Sequence, residues 1–367
     1  MRRVETAIVG GGPAGAAAAC GLAAIGREVL LVERAAGPHH KVCGEFLSNE
    51  TQAQLCALGV EPAALGAVPI DRVTVTSGTR SVSANLPFRA LSLSRYRLDD
   101  ALLRRAAHFG AQLKRNVSVR AVTPEGDAWT VACDDGEMVH CRHLVLAAGK
   151  WGLRGIDDER DRSLVGLKMH LRPSAAVGRA LGGCVELSLL DRSYVGLELI
   201  EDGLANLCVV LPRAVVARLG PGWPAMQNYL AAALPSLAER LQGAEPLWDK
   251  AIAVVCPTGG HLHGEEGPAV YRVGDRLAHI PPFTGDGMAI ALGSAALAVK
   301  HIQEGRSPAA YLAAARRLTG SAIRLASVVS GLAGSSAGRT VLMGATACMP
   351  GLIGTIARRT RLPLAAD

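Results

Sequence analysis

Three glycines close to the N-terminus have the spacing that binds a dinucleotide phosphate. Gly10, Gly12 and Gly15 follow an apolar run at residues 4–9, and small residues continue through 16–22. The first glycine permits a tight turn, the second lets a pyrophosphate approach the backbone, and the third lets a helix pack closely against a strand. The N–H groups and the dipole of that helix would then face the phosphates.

An acidic residue completes this pattern. Glu33 follows a second predicted strand at residues 29–32, where its carboxylate is placed to accept hydrogen bonds from ribose hydroxyls. Because strand, glycine turn, small-residue helix, strand and acid come in this order, the sequence predicts a dinucleotide site. Pro13, Ala14 and Arg34 are predicted to belong to the same site.

A second cofactor segment is predicted near residue 280. The strand-like run 269–273 leads into Gly274 and Asp275, whose carboxylate is placed to hold a second ribose. A helix predicted over residues 287–298 would direct its N-terminal dipole at a flavin ring and stabilise negative charge there. The predicted contacts in this segment are Gly274, Asp275, Pro282, Gly285, Asp286, Gly287 and Met288.

This second segment resembles a known family motif. The pattern GD-x6-P-x-x-G-x-G-M is similar to the second FAD motif of the superfamily that includes aromatic hydroxylases, geranylgeranyl reductases and flavin-dependent halogenases. Arg95 begins a stretch that resembles the family's R-x-x-x-D-x-x-L-x-x-x-A helix, whose arginine lies near the flavin. The apolar run ending at Gly149 resembles the strand that returns to the cofactor. The resemblance implies FAD. Because no second GxGxxG unit followed by a helix occurs in the sequence, NADPH or NADH is expected to bind transiently, and the alternative is that another protein supplies the electrons.

Two residues are candidates for proton transfer. Lys41-x-Cys43-Gly44 resembles the KxCG segment of geranylgeranyl reductases, where the cysteine lies by the flavin. A thiol there could lend a proton or shape the substrate face, whereas the alternative is a turn with a small buried residue. His279, near the second segment, is a candidate acid or base, with packing against the cofactor loop as its alternative. The WxWxIP motif of halogenases is absent from the sequence.

Composition excludes several classes of protein. The net charge is +7, but no long Lys/Arg cluster or nucleic-acid motif occurs, so no nucleic-acid partner is expected. Nine cysteines without a CxxC pair suit a reducing cytoplasm. His261 and His263 lack a third ligand at a usable spacing, so no metal is expected. Glu5 and the glycine turn argue against a signal peptide, and no apolar run predicts a spanning helix.

The predicted fold class is α/β, with a Rossmann-type FAD-binding domain, an inserted antiparallel-sheet substrate domain and a helical C-terminal tail. The FAD-binding domain comprises residues 1–70, 94–162 and 264–305, and the C-terminal helices comprise 306–367. The substrate domain comprises 71–93 and 163–263. Within it, strands are predicted at 165–171, 183–189, 194–199 and 205–211, and a proline-broken helix at 219–241.

Four residues of the predicted sheet are substrate candidates. Lys168 and His170 alternate and therefore share one face, and Tyr194 and Glu198 share a parity on their own strand. Which face is buried cannot be read from the pattern, and charged sheet residues usually face solvent. In the tail, the apolar run 343–357 either covers the substrate pocket, packs on the core, or lies on a membrane surface.

The favoured function is a single-component monooxygenase that hydroxylates an apolar or aromatic organic substrate. One alternative is a reductase of an isoprenoid-like or other unsaturated substrate. Another is an electron-transfer flavoprotein that serves a partner protein or quinone. The expected partner is a small or lipid-like molecule. The expected location is the cytoplasm, with peripheral contact to the inner face of the membrane as an option, and the oligomeric state is left open.

Overall fold

The computed structural model describes residues 1–150, 163–220, 222–256, 261–262, 270–349 and 351–362. The first 150 residues begin with alternating strands and helices and end in an antiparallel hairpin. In chain order these elements are β1 (Arg2–Val9), α1 (Pro13–Ala24), β2 (Val29–Glu33), β3 (Phe46–Leu47), α2 (Asn49–Ala57), β4 (Val68–Ser77), β5 (Arg80–Ser92), α3 (Arg95–His108), β6 (Gln112–Arg115), β7 (Val119–Glu125), β8 (Ala128–Cys133) and β9 (Met138–Leu146).

The second half contains most of a second sheet and then a series of helices. Its elements are β10 (Leu164–Arg172), α4 (Ala175–Leu181), β11 (Gly183–Leu190), β12 (Ser193–Leu199), β13 (Ala205–Pro212), α5 (Arg213–Leu219), α6 (Trp223–Ala233), α7 (Pro235–Leu241), β14 (Glu245–Pro246), β15 (Ile252–Cys256), β16 (His261–Leu262), β17 (Tyr271–Arg272), β18 (Ala278–His279), α8 (Gly287–Gln303), α9 (Pro308–Ala333), α10 (Ser336–Cys348) and α11 (Gly351–Arg359).

The first sheet has the Rossmann arrangement that the sequence predicts. Its strand order is β6-β2-β1-β9-β8-β7, with β17 added beside β9. The pairs β1–β2, β1–β9, β2–β6 and β9–β17 are parallel. Every residue of β2 is buried, as expected for a strand covered on both faces. The carboxyl ends of β1, β2 and β9 therefore meet at one edge, where the glycine turn after β1 lies.

The second sheet is largely antiparallel and has two different faces. Its order is β14-β10-β13-β12-β11-β4-β5-β3, with β15 added beside β10. Leu167 and Met169 of β10 share a face with Leu207 of β13, and this face packs on α6 and α7. The opposite face carries Lys168, paired in register with Cys208. The four strands predicted in this region are confirmed to within one residue at each end.

The helical region after this sheet differs from the prediction in its bounds. The sequence predicts one proline-broken helix over 219–241, whereas α5 ends at Leu219 and α6 begins at Trp223. Gly220 interrupts the helix because its φ of +74° is a left-handed conformation that favours glycine. The break before α7 falls at Leu234, which precedes Pro235 and adopts an extended ψ of 87°.

The C-terminal helices pack against both sheets. Helix α8 contacts α1, and α10 and α11 contact β5. Leu342 and Met343 of α10 join Val73 and Val75 of β4 in one apolar cluster, with Ile353 of α11 packed against it. In the described part of the chain, no single helix is long and apolar enough to cross a membrane, and the bent pair α10–α11 reaches that length only when taken together.

Candidate functional site

A long cleft runs along the carboxyl edge of the parallel sheet. Its volume is about 540 Å³, and it brings together the two predicted cofactor segments, which lie far apart in sequence. His279 also lines it. The predicted cofactor residues on its walls are Gly10, Gly12, Pro13, Ala14, Glu33, Arg34, Lys41, Cys43, Gly44, Arg95, Gly149, Gly274, Asp275, Gly285, Gly287 and Met288.

The three glycines of the first turn serve different purposes. A Cβ added to Gly15 would lie 1.9 Å from the carbonyl oxygen of Gly10, so helix α1 packs on the turn only because residue 15 is glycine. Gly10 has a φ of +103° and leaves no room beside Ala147. In contrast, a Cβ on Gly12 would meet only Arg95 Nη2, at 3.6 Å. The space at Gly12 is therefore open to a ligand, as a bound pyrophosphate requires.

Two carboxylates line the cleft, one from each predicted cofactor segment, where sugar hydroxyls of a bound dinucleotide are expected. Glu33 is held by the N–H groups of Gly11, at 2.6 Å, and Ala35, at 2.9 Å. These bonds fix its side chain at the end of β2. Asp275 is more open, with 41% of its side chain exposed, and Nδ1 of His279 lies 3.9 Å from its Oδ1.

Positive charge is concentrated beside Gly12. Arg95 begins α3 and donates two hydrogen bonds to Asp99, at 2.6 and 2.8 Å. Lys41 donates to the same carboxylate at 3.0 Å. Burial alone would raise the pKa of Asp99, but the charges of Arg95 and Lys41 hold that pKa below its usual value. Two cations and one anion leave a surplus positive charge where a pyrophosphate would bind.

Two predicted cofactor residues do not line the cleft. Asp286 is fully buried and its carboxylate faces Arg361, whose Nη1 lies 2.8 Å away. Burial raises the pKa of Asp286 to about 6, although the charge of Arg361 opposes this rise.

Gly15 packs against the backbone of Gly10, on the side of the turn away from the cleft. Pro282 begins a short 3₁₀ helix, Pro282–Thr284, and its side chain lies outside the described part. The side chain of His261 and the whole of His263 also lie outside the described part of the structure.

A second, smaller cavity adjoins the cleft. It measures about 140 Å³ and shares Gly44, Phe46, Tyr194, Cys208 and Gly285 with the first. One wall is the second sheet, and the other is formed by the C-terminal helices. The apolar side chains that line it include Val73, Val75, Leu86, Phe88, Val185, Leu187, Phe283, Leu342, Met343, Ile353 and Ile356. The predicted tail segment 343–357 thus covers this cavity.

Glu198 places a carboxyl group on the wall of this apolar cavity. Its side chain is buried, and Oε1 accepts a hydrogen bond of 2.6 Å from Asn206, which also donates to the carbonyl of Cys43 at 3.2 Å. Burial raises the pKa of Glu198 to about 8, although the bond from Asn206 opposes this rise. Glu198 is therefore largely protonated at neutral pH. Tyr194, on the same face, lines both cavities.

Lys168 and His170 lie on the same sheet face, as predicted, but neither lines a cavity. Both contact Glu45, which sequence reasoning missed. The Lys168 ammonium forms an ion pair with Oε1 of Glu45, and His170 Nε2 lies 3.0 Å from Oε2. All three are buried, so the general expectation that charged sheet residues face solvent fails here. The Gly44-Glu45 dipeptide beside Cys43 was the available signal.

Glu45 is also unusual in its backbone. Its φ of +54° is in the left-handed region, and the N–H of Arg95 donates to its Oε1 at 2.7 Å. Burial would raise the pKa of Glu45, but the charge of Lys168 and the bond from His170 hold it below the usual value. The cluster therefore joins the turn after Cys43 to the second sheet and to the start of α3.

Comparison with known proteins agrees with this geometry. Residues 3–157 match the family model described as FAD binding domain, and the cleft joins this region to the second cofactor segment. The chain is an FAD-dependent oxidoreductase. The glycine cradle, the cationic cluster and the carboxylates fit FAD.

Two solved structures with the same fold are named a brominase and a monooxygenase. The flavin-dependent brominase Bmp2 has a TM-score of 0.78 with this chain and 18% identity, covering 98% of this chain and 93% of its own. PqsL from Pseudomonas aeruginosa, described as a probable FAD-dependent monooxygenase, has a TM-score of 0.73 and 18% identity, covering 94% and 99%. These similarities confirm the predicted fold class.

Relatives by sequence carry a different name. A menaquinone reductase of Mycolicibacterium smegmatis is 26% identical over 329 residues, which covers 83% of this chain and 77% of the relative. A menaquinone reductase of Mycobacterium tuberculosis is 27% identical over 336 residues, covering 81% and 76%. The FAD-dependent oxidoreductase is therefore similar to monooxygenases in fold and to reductases in sequence.

Proposed function

We propose that this FAD-dependent oxidoreductase is a monooxygenase that hydroxylates an apolar or aromatic organic substrate. The observation that carries the proposal is the small cavity that adjoins the flavin cleft. Its walls are apolar apart from a few polar groups, and Glu198 is the buried carboxyl group among them. A volume of about 140 Å³ suits a single ring or a short chain segment. The fold shared with PqsL supports the same choice.

The residues of the chain have separable tasks in this proposal. When bound, FAD supplies the two-electron chemistry and the activation of dioxygen. Lys41 and Arg95 would hold the pyrophosphate, and Gly287 and Met288 at the N-terminus of α8 would contact the flavin. The apolar walls exclude water from the substrate. NADPH or NADH, bound transiently, is the proposed source of electrons.

Glu198 is the proposed hydrogen-bond donor to the substrate. Asn206 occupies Oε1, which leaves the rest of the carboxyl group directed at the cavity. In its protonated form the carboxyl donates to an oxygen of the substrate and orients the ring toward the flavin. Tyr194 has its pKa raised well above the usual value by burial, so its hydroxyl stays neutral beside the same cavity. Cys43 lies on the wall of the cleft, next to Gly44, which lines both cavities.

Isotope labelling tests the proposal directly. With NADPH or NADH, isotope-labelled dioxygen and a panel of phenols and apolar aromatic compounds, we expect a product that contains one labelled oxygen atom. Consumption of the nucleotide should match product formation. A substrate that instead gains two hydrogen atoms, with the same yield when dioxygen is absent, would contradict the monooxygenase.

A reductase of an isoprenoid-like chain is the second candidate. It is favoured by the curated relatives named menaquinone reductase and by the Lys41-x-Cys43-Gly44 segment. In that reaction a hydride adds to one carbon of a double bond and a proton to the other, and protonated Glu198 is a suitable proton donor. Anaerobic incubation of the reduced enzyme with a menaquinone distinguishes the two candidates, because only the reductase would saturate the side chain.

The pH dependence of turnover should report Glu198. Since its pKa is raised to about 8, the neutral donor is present below that pH and is lost as the pH rises through it. We expect kcat/KM of the wild type to fall above pH about 8. In Glu198→Gln this decrease at alkaline pH should be absent. The free energy of unfolding should likewise decline as the pH rises from the usual carboxyl value of 4.5 to about 8.

A matched variant controls for general effects of removing a carboxylate. Glu186 lies on β11 and pairs with Arg240 at 2.9 Å, away from the described lining of either cavity. In Glu186→Gln, kcat/KM should still fall at alkaline pH. If the same decrease persisted in Glu198→Gln, it would have to be assigned to another titrating group.

A further inference from the structure

The positive charge of the chain is concentrated in its C-terminal segment. Residues 305–366 contain eight arginines and no aspartate, glutamate or lysine. This segment therefore accounts for more than the entire net charge of +7, and the remainder of the chain is slightly acidic. The segment forms helices α9, α10 and α11, which cover the second cavity.

Four of these arginines face outward. Arg317 and Arg324 are exposed on α9, and Arg358 and Arg359 are exposed at the end of α11. They differ from Arg361, which is turned inward to Asp286. Among the described residues, none of the four outward arginines forms an ion pair, so their charge is available to an external partner.

Large apolar side chains are exposed on the same part of the chain. Val328 is 61% exposed and Leu332 39% on α9, Val341 is 64% exposed on α10, and Met349 is 56% exposed after it. Positions 317, 324, 328 and 332 recur at helical spacing and share one face of α9. This face is basic in its first half and apolar in its second, so one surface of the helix offers both positive charge and apolar side chains to a partner.

The same helices have a second, inward function. Leu342 and Met343 of α10 and Ile353 and Ile356 of α11 line the second cavity. The wall between the cavity and the exposed apolar surface is thus one helix layer thick. A partner on the outer surface would lie directly beyond the lid of the substrate pocket.

We propose that the outer face of α9–α11, defined by the four outward arginines and the four exposed apolar residues, docks on an anionic lipid bilayer. Arginines bind anionic headgroups, and the apolar side chains enter the region between headgroups and acyl chains. A second copy of the chain would bring two acid-free basic faces together, and like charges would repel. A nucleic acid would not cover exposed Val341 and Met349. The docking does not depend on which reaction the enzyme catalyses.

Vesicle binding tests the docking. The FAD-loaded protein is mixed with vesicles of phosphatidylcholine and phosphatidylglycerol, or of phosphatidylcholine alone, and sedimented. We expect binding to the anionic vesicles that weakens with salt. Arg358→Glu with Arg359→Glu should lower the partition constant by about tenfold or more, since each basic residue near the surface contributes appreciably. Val328→Asp with Val341→Asp should lower it by a similar factor.

Matched substitutions elsewhere on the surface serve as controls. Arg120 and Met138 are exposed on the first sheet, far in sequence from α9–α11. Arg120→Glu and Met138→Asp should leave vesicle binding unchanged, and FAD absorbance confirms that every variant remains folded. Equal binding to both kinds of vesicle, or equal loss in the controls, would overturn the proposal. The proposal would also be overturned if the protein did not bind vesicles and formed a dimer that Val341→Asp dissociates. That result would assign the face to contact with a second copy of the chain.

Discussion

Replacing Gly12 by valine is expected to give a folded protein that no longer retains FAD. Gly12 caps α1 with a φ of −75°, which any residue adopts, and an added Cβ would meet only Arg95 Nη2 at 3.6 Å. The protein itself therefore tolerates a side chain there. The valine would instead occupy the space of the pyrophosphate, and FAD affinity should fall by on the order of a hundredfold or more.

The ratio of flavin to protein absorbance after purification measures this effect, and circular dichroism reports the fold. Gly37→Val is the matched control, because Gly37 has open space and an ordinary φ, and this variant should remain yellow. Gly15→Val should behave differently and fail to fold, since its Cβ would lie 1.9 Å from the oxygen of Gly10. A fully loaded Gly12→Val protein would disprove the position assigned to the pyrophosphate.

The second large effect is expected on stability. Lys168→Met removes the ammonium partner of Glu45 and leaves a buried carboxylate with His170 and the N–H of Arg95. Breaking a buried ion pair from one side typically costs about 3–5 kcal/mol, because the remaining charge stays desolvated. Urea denaturation of the FAD-loaded protein should show a loss of this size.

Two further variants define the origin of this loss. Arg89→Met removes an exposed ion pair with Asp71, of 3.0 Å, and should cost less than about 1 kcal/mol. Adding Glu45→Gln to Lys168→Met should recover part of the stability, because the uncompensated charge is then gone. If Lys168→Met were no more destabilising than Arg89→Met, the ion pair would not hold the second sheet to the turn after Cys43.

The cofactor cleft was predictable because its determinants are local. One strand–helix–strand unit contains all of the first segment's determinants, Gly10, Gly12, Gly15 and Glu33. Their spacing alone predicts which backbone segment contacts the phosphate. The segment from Gly274 to Met288 is equally compact. Asp286 shows the limit of such motifs, because the direction of its side chain depends on Arg361, which lies far away in sequence, just after α11.

The substrate region was less predictable because its contacts are distant in sequence. Parity placed Lys168 and His170 on one face, but it could not say which face is buried. Their partner Glu45 lies more than a hundred residues earlier, in a turn with no periodic signal. Likewise, the pKa of Glu198 is raised by burial in a cavity whose walls come from the second sheet and from the distant helices α10 and α11.

The buried contacts of Glu45 also determine which part of the molecule opens to admit substrate. If the second sheet moved away from the turn after Cys43, the fully buried carboxylate of Glu45 would lose Lys168 and His170, so this movement has a high barrier. Helices α10 and α11 close the cavity mostly through apolar side chains, and Arg361, which follows α11, adds one buried ion pair with Asp286. Their displacement therefore separates fewer buried charges than the Glu45 cluster contains. Substrate exchange should therefore be limited by the rate at which these helices move away from the cavity. The FAD cleft and the second sheet should move together as one rigid body.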